Sequence, residues 1–296
     1  MKHVVKWVGI CLITLSIMSF PSTEKAAEMS VNGKSTWLWN TVEIVDQKDE
    51  IIVFLREHGV NEVYLQVNPE VGIEHYQRFI EMATIEKIHV YALDGAPHWA
   101  TVKGQSSLIT FFDWVEKYQM VAGEAQRFTG VHLDVEPYLL SGWSSAYKKT
   151  VLNYQKMVNT AVNRSSSLDI TLGMDIPFWF DEKTYHNEFG KGNLARWVIG
   201  KTDEVAVMAY RDQANGPNGI IQLVRSEMEY GLSQGKKVKV GIETAPSAEG
   251  DFISFHEEGE AFMLHEMNRV EDKYATYSSY KGIAVHHYGS WKDLSE

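Results

Sequence analysis

Apolar, β-branched runs alternate with amphipathic stretches along most of the chain. The runs predict strands at Thr36–Asn40, Glu62–Asn68, Lys87–Asp94, Thr129–Glu136, Leu168–Ile176, Glu204–Tyr210, Lys237–Glu243 and Gly282–His287. The stretches between them carry helical spacing, with Asp46 as a candidate cap of the first and Gly59 just past its end. Each strand-plus-helix unit takes about 33 residues, the size of a βα unit. Eight such units suit a closed barrel. The rival is an open doubly wound sheet, which usually carries a glycine-rich phosphate turn after its first strand. Here that strand ends in Trp37-Leu38-Trp39-Asn40-Thr41, without glycine. The expectation is an α/β protein: one (β/α)8 TIM barrel over residues 28–296, with no linker or second compositional block.

The N-terminus has a different pattern. Lys2 and Lys6 precede an apolar run from Trp7 to Phe20, which Pro21 ends. The run is too short to span a bilayer but suits a signal-peptide core, so residues 1–27 are expected to be a cleaved signal and the protein to be secreted. An uncleaved anchor is the alternative, because Lys25 sits where a small residue is preferred near the cleavage point. Cys11, the single cysteine, lies inside that run, so the mature chain would hold no disulfide, thiolate metal site or cysteine nucleophile. The chain's net charge is −11; residues 1–27 hold three lysines against one glutamate, which leaves −13. Such a surface repels nucleic acid and anionic membranes, so neither is expected as a partner of the mature chain, and a monomer is expected.

In (β/α)8 barrels the active site forms at the carboxyl ends of the strands. Those ends offer Trp37, Trp39 and Asn40; Gln66 and Asn68; Asp94, then His98 and Trp99; His132, Asp134 and Glu136; Asp175, then Trp179; Met208, Tyr210 and Asp212; Glu243; and His286 or His287, then Tyr288 and Trp291. Strand four carries the strongest signal. Alternation puts His132, Asp134 and Glu136 on one face, consecutive members about 6.6 Å apart. Val131, Leu133 and Val135 form the apolar alternate face that packs under helices. Two carboxylates this close in a partly desolvated site cannot both ionise cheaply, so one is raised toward the range of a general acid. Glu136, the outermost, is the candidate acid, and Asp134 the group that orients or charge-balances it. Trp39, Asn68, Asp94, Trp99, Asp175, Trp179, Met208, Asp212, His287 and Trp291 are candidate substrate contacts. The aromatic segment Phe178–Gly192 is a candidate sugar platform or a lid.

Phe128-Thr-Gly-Val-His-Leu-Asp-Val-Glu136 resembles the strand-four motif of glycoside hydrolase family 18, the chitinase-like barrels, which reads Asp-x-x-Asp-x-Asp-x-Glu. Gly130, Asp134 and Glu136 match; Thr129 and His132 replace the first two acids. Met208 and Tyr210 match the family's Met-x-Tyr-Asp, with Arg211 in the Asp position and Asp212 one later. Strands seven and eight are similar in order, with Glu243 where the family has Pro and His286 or His287 where it has Trp. The resemblance implies a glycosidase acting on an amino-sugar polysaccharide without cofactor. It implies Glu136 as proton donor, the substrate acetamide as nucleophile, and Asp134 with Tyr210 steadying that acetamide.

Three alternatives stay open. Glu136 and Glu243 could form the carboxylate pair of a retaining or inverting hydrolase, whose spacings differ, or Glu243 could be a structural partner of Arg211. The barrel could bind carbohydrate without cleaving it. A metal-dependent hydrolase or amidase could use His98, His132, His286 or His287 with Asp134 and Asp175, although no metal-ligand spacing is present and no metal is expected.

Overall fold

The computed structural model describes Met1 and residues 33–295. Apart from Met1, the expected signal segment lies outside the described residues. The strands are β1 (Lys34–Leu38), β2 (Val60–Gln66), β3 (His89–Asp94), β4 (Gly130–Leu133), β5 (Thr171–Pro177), β6 (Thr184–Asn187), β7 (Gly190–Asn193), β8 (Glu204–Met208), β9 (Lys237–Glu243) and β10 (Tyr280–His286). Eight of them close a barrel in the order β1-β10-β9-β8-β5-β4-β3-β2, every neighbouring pair parallel, with helices between them. This is the (β/α)8 barrel that the pattern predicts.

Period-two alternation sorts the side chains. One face of each strand, represented by Val63, Leu65, Val131, Leu133, Val205, Val207, Val240 and Ile242, is buried under the helices in one continuous apolar cluster. The other face turns into the bore, where Trp37, Tyr64, Tyr91, Leu93, Ala206 and Ala284 form a second, smaller cluster. Trp37 meets Tyr64 edge-on at 5.1 Å between ring centroids, and Tyr64 lies flat on His132 at 3.8 Å. Below these rings, at the amino ends of the strands, Lys239 and Lys281 both pair with Glu62 and with Glu204, and Lys239 also donates to the Tyr64 hydroxyl.

Several boundaries shift. β4 leaves the ladder after Leu133 rather than Glu136: only the Asp134 amide still bonds across, to Asp94 at 3.2 Å, before Pro137 turns the chain. Leu168 belongs to the helix Tyr147–Leu168, which ends on Asp169 in the left-handed region, so β5 begins at Thr171. Asp46 closes a short helix, Glu43–Asp46, instead of capping the one that follows; Gly59, at φ +67°, does follow the end of Lys48–Glu57. The aromatic segment after β5 contains the antiparallel hairpin β6–β7. Among the described residues no helix is long and apolar enough to cross a membrane.

Candidate active site

The barrel's carboxyl end holds a cleft of about 490 Å³, walled by segments following β4, β5, β8 and β9. Glu136, Tyr138, Trp179, Met208, Tyr210, Arg211 and Glu243 line it. Beneath its floor lies Asp175, fully engaged: Oδ2 accepts the Trp37 indole N–H at 3.0 Å, and Oδ1 meets His132 Nε2 at 2.9 Å. Gly173 makes room for this imidazole, since a Cβ there would stand 2.6 Å from His132 Nδ1.

Asp134 sits between this pair and Glu136. Its Oδ1 is buried and has no hydrogen-bond partner among the described residues. Burial, then the charges of Asp175 and Glu136, push its carboxyl well above the usual range. Gly95 allows the close approach that holds the segment: a Cβ on Gly95 would overlap the Asp134 carbonyl oxygen, at 1.9 Å. Burial also raises Glu136, with Asp175 adding to the effect and the Tyr138 hydroxyl and His286 opposing it. Tyr138 donates to Glu136 Oε1. Tyr210 is held as a phenol, its hydroxyl pushed well up by burial and by the surrounding charges, Glu243 first.

Glu243 is bound on both oxygens. Oε1 accepts the backbone N–H groups of Thr244 and Ala245, each at 2.8 Å, and Oε2 faces His286 Nδ1 at 2.8 Å. The Trp39 indole approaches His286 Nε2 at 3.1 Å. An indole N–H can only donate, so Nε2 carries the lone pair and Nδ1 the proton that Glu243 accepts. Glu243 thus pairs with His286 rather than with Arg211. Arg211 donates instead to the Tyr210 carbonyl and lies against the rings of Phe178 and Phe252.

The fold therefore gathers Glu136, Tyr210, Glu243, Trp179 and Met208 on the cleft wall, Asp134 and Asp175 beneath it, and Trp39 behind His286. Other candidates fall elsewhere. Trp99 is 3% exposed and packs on Phe111 under the helices. Trp291, 2% exposed, donates to Glu260 and meets Phe54 edge-on, also in the outer layer. His287 caps the helix Tyr288–Lys292 by accepting the Gly289 N–H; it is His286 that reaches the site. Asn68 is spent in a local turn, its Oδ1 on the Glu70 N–H and its own N–H on Tyr76. Asp94 alternates with the bore-facing Leu93, so it leaves the bore; burial raises its carboxyl to about 6 against the Gly95 N–H. Asp212 stands beside the cleft and ties its amide to the Phe252 carbonyl. Tyr138 is a site residue that strand-end reasoning passes over, because it follows the proline that ends strand four; an aromatic two residues beyond a candidate acid was the available signal. Among the described residues no group of three His, Cys, Asp or Glu is arranged to hold a metal ion.

No family model and no curated protein matches the chain. Solved structures do. A chitinase from Chromobacterium violaceum superposes with a TM-score of 0.54 at 12% identity, covering 88% of this chain and 96% of that one. A family 18 chitinase from Cycas revoluta, solved in complex with (GlcNAc)3, gives 0.53 at 12% identity, with 88% and 96% covered. The spore cortex-lytic enzyme SleL of Bacillus megaterium gives 0.54 at 11% identity, with 86% and 70% covered. The chain's distant resemblance to chitinase-like barrels thus extends to the fold.

Proposed function

We propose that the chain is a secreted glycoside hydrolase that cleaves an amino-sugar-containing polysaccharide, with Glu136 as general acid and Asp134 assisting. One observation carries the reading: Glu136 lines an open cleft with its carboxyl raised by burial, two residues along the chain from a second raised carboxyl, Asp134, which feels its charge. A carboxylic acid that keeps its proton toward neutral pH is what protonation of a glycosidic oxygen requires. Tyr138 already occupies Oε1, so Oε2 is the oxygen that delivers the proton, and the Tyr138 hydroxyl then stabilises the carboxylate left behind. As the C–O bond breaks, the substrate's acetamide oxygen closes on the anomeric carbon. The protonated Tyr210 phenol and Asp134 hold that acetamide. Water then opens the cyclic intermediate, with Glu136 accepting its proton. Glu243, bound on both oxygens, is an orienting group in this scheme rather than a nucleophile. The chitinases and the cortex-lytic enzyme that share the fold support the substrate class.

Glu136→Gln tests the assignment on a panel of chromogenic glycosides and cell-wall polymers. Turnover is expected to fall roughly 10²–10⁴-fold with saccharide binding retained. The wild-type rate should decline as pH rises through the raised Glu136 pKa, because the protonated form is the active one. An undiminished rate in the variant removes Glu136 as the acid. Binding without turnover by the wild type would make the barrel a carbohydrate-binding protein. Fractionation of the producing cells, with N-terminal sequencing of the exported form, tests secretion and cleavage near residue 27.

A further inference from the structure

Among the described residues lining the cleft, Arg211 is the one cation, in company with three acids, Glu136, Glu243 and Glu249. It is held with some care. Its guanidinium lies 5.3 Å from the Phe178 ring centroid and 5.4 Å from that of Phe252. Nη1 donates to the Tyr210 carbonyl. The Asp212 amide bonds to the Phe252 carbonyl at 3.2 Å, which fixes the second ring to the same segment. Gly250, at φ +133°, brings that ring in, since a Cβ on it would stand 2.7 Å from Phe252. Three loops, after β5, β8 and β9, thus converge to fix one side chain. No carboxylate forms an ion pair with it among the described residues; Asp212, next along the chain, feels its charge without pairing.

A planar guanidinium held against two rings and a carbonyl has lost part of its side-chain freedom, and it is more weakly hydrated than an ammonium. Its remaining N–H fork matches a carboxylate. In a cleft otherwise lined by acids, a neutral saccharide gives such a group no charge to pair with. An acidic saccharide would be repelled by the cleft without it.

We propose that Arg211 is the specificity determinant of the cleft, and that it selects an amino-sugar glycan bearing carboxylates, one of which it binds through its free fork. The proposal rests on the saccharide-cleaving reading above and narrows its substrate class.

The test uses two ligands of one length: an oligosaccharide alternating N-acetylglucosamine with N-acetylmuramic acid, and the same oligosaccharide with its carboxylates converted to amides. Binding to the full chain carrying Glu136→Gln is measured by calorimetry, so that turnover plays no part. The carboxylate form should bind roughly tenfold or more tightly than the amide form, a preference that weakens with salt. Adding Arg211→Gln should bring the ratio to about one; adding Arg211→Lys, which keeps the charge but not the fork, should retain part of it. Equal binding of the two forms to the Arg211 protein, or a preference that survives Arg211→Gln, overturns the assignment and leaves the glycosidase reading standing. A preference that depends on Arg211, in a wild type that hydrolyses no glycan, supports the assignment and overturns the glycosidase reading. Failure of both ligands to bind overturns both.

Discussion

The two ends of the barrel bore bury the same functional group in opposite ways. At the amino end, Glu62 and Glu204 each meet both Lys239 and Lys281. Burial alone would raise Glu204, but the two ammonium groups outweigh it and hold the carboxyl at about 2. At the carboxyl end, Asp134, Glu136, Asp175 and Glu243 have no lysine or arginine ion pair among the described residues. Ring N–H groups, a hydroxyl and backbone amides take the place of cations there, and Asp134 and Glu136 are raised. A buried carboxylate with matched cations holds strands together but has no proton to give. One left without a cation weakens the fold and can do acid chemistry.

The sharpest way to break this contrast is Lys239→Met. It leaves Glu62 and Glu204 with Lys281 alone, and should cost about 3–5 kcal/mol of unfolding free energy while saccharide affinity of the folded protein is unchanged. Urea unfolding would show it, and a loss below ~1 kcal/mol would mean that the amino-end network is not structural.

Asp134→Asn sharpens the other side. A raised carboxyl contributes stability that is complete below its unfolded pKa and is lost as pH rises through the folded one. Wild type should therefore lose stability from pH 4 upward in a way the variant does not. The variant's advantage should reach on the order of 1–2 kcal/mol at neutral pH, although its activity falls. Equal pH slopes for the two proteins would show that Asp134 is not strained by burial.

The smallest effect on turnover is expected from Glu227→Gln, which separates burial from position in the bore. Glu227 lies in the outer layer on the helix Arg225–Gln234, with neither carboxyl oxygen hydrogen-bonded among the described residues. Burial first, then the charge of Asp181, raises it to about 8. The same sign applies, so the wild type loses stability as pH approaches 8. The variant should escape that loss, which a shift of this size puts on the order of 4 kcal/mol, and keep full turnover. Altered turnover would tie the outer layer to the cleft.

The barrel itself is legible in the chain because strand count and period-two alternation are local properties. The identity of the inward face of strand four follows from them. What lies across the bore does not. Lys239 and Glu62 read as polar residues near the starts of separate strands, and only closure brings them together. The His132–Asp175 bond and the Trp39–His286–Glu243 chain join neighbouring strands through residues far apart in the sequence. Tryptophans just beyond strand ends are ambiguous for a related reason: Trp179 turns into the cleft while Trp99 and Trp291 turn back under the helices. The β6–β7 hairpin is hidden because its strands, Thr-Tyr-His-Asn and Gly-Lys-Gly-Asn, lack β-branched alternation.

The rings of the bore also fix how a polymer can travel. Trp37, Tyr64 and Tyr91 come from three adjacent strands, and Ala206 from across the barrel and Ala284 from the strand beside Trp37 leave space for them. The bore is thereby plugged midway, and no glycan can thread it. Under the proposed function, a long chain lies across the mouth like a rope over a pulley, entering and leaving on one side, with the bond to be cut over Glu136.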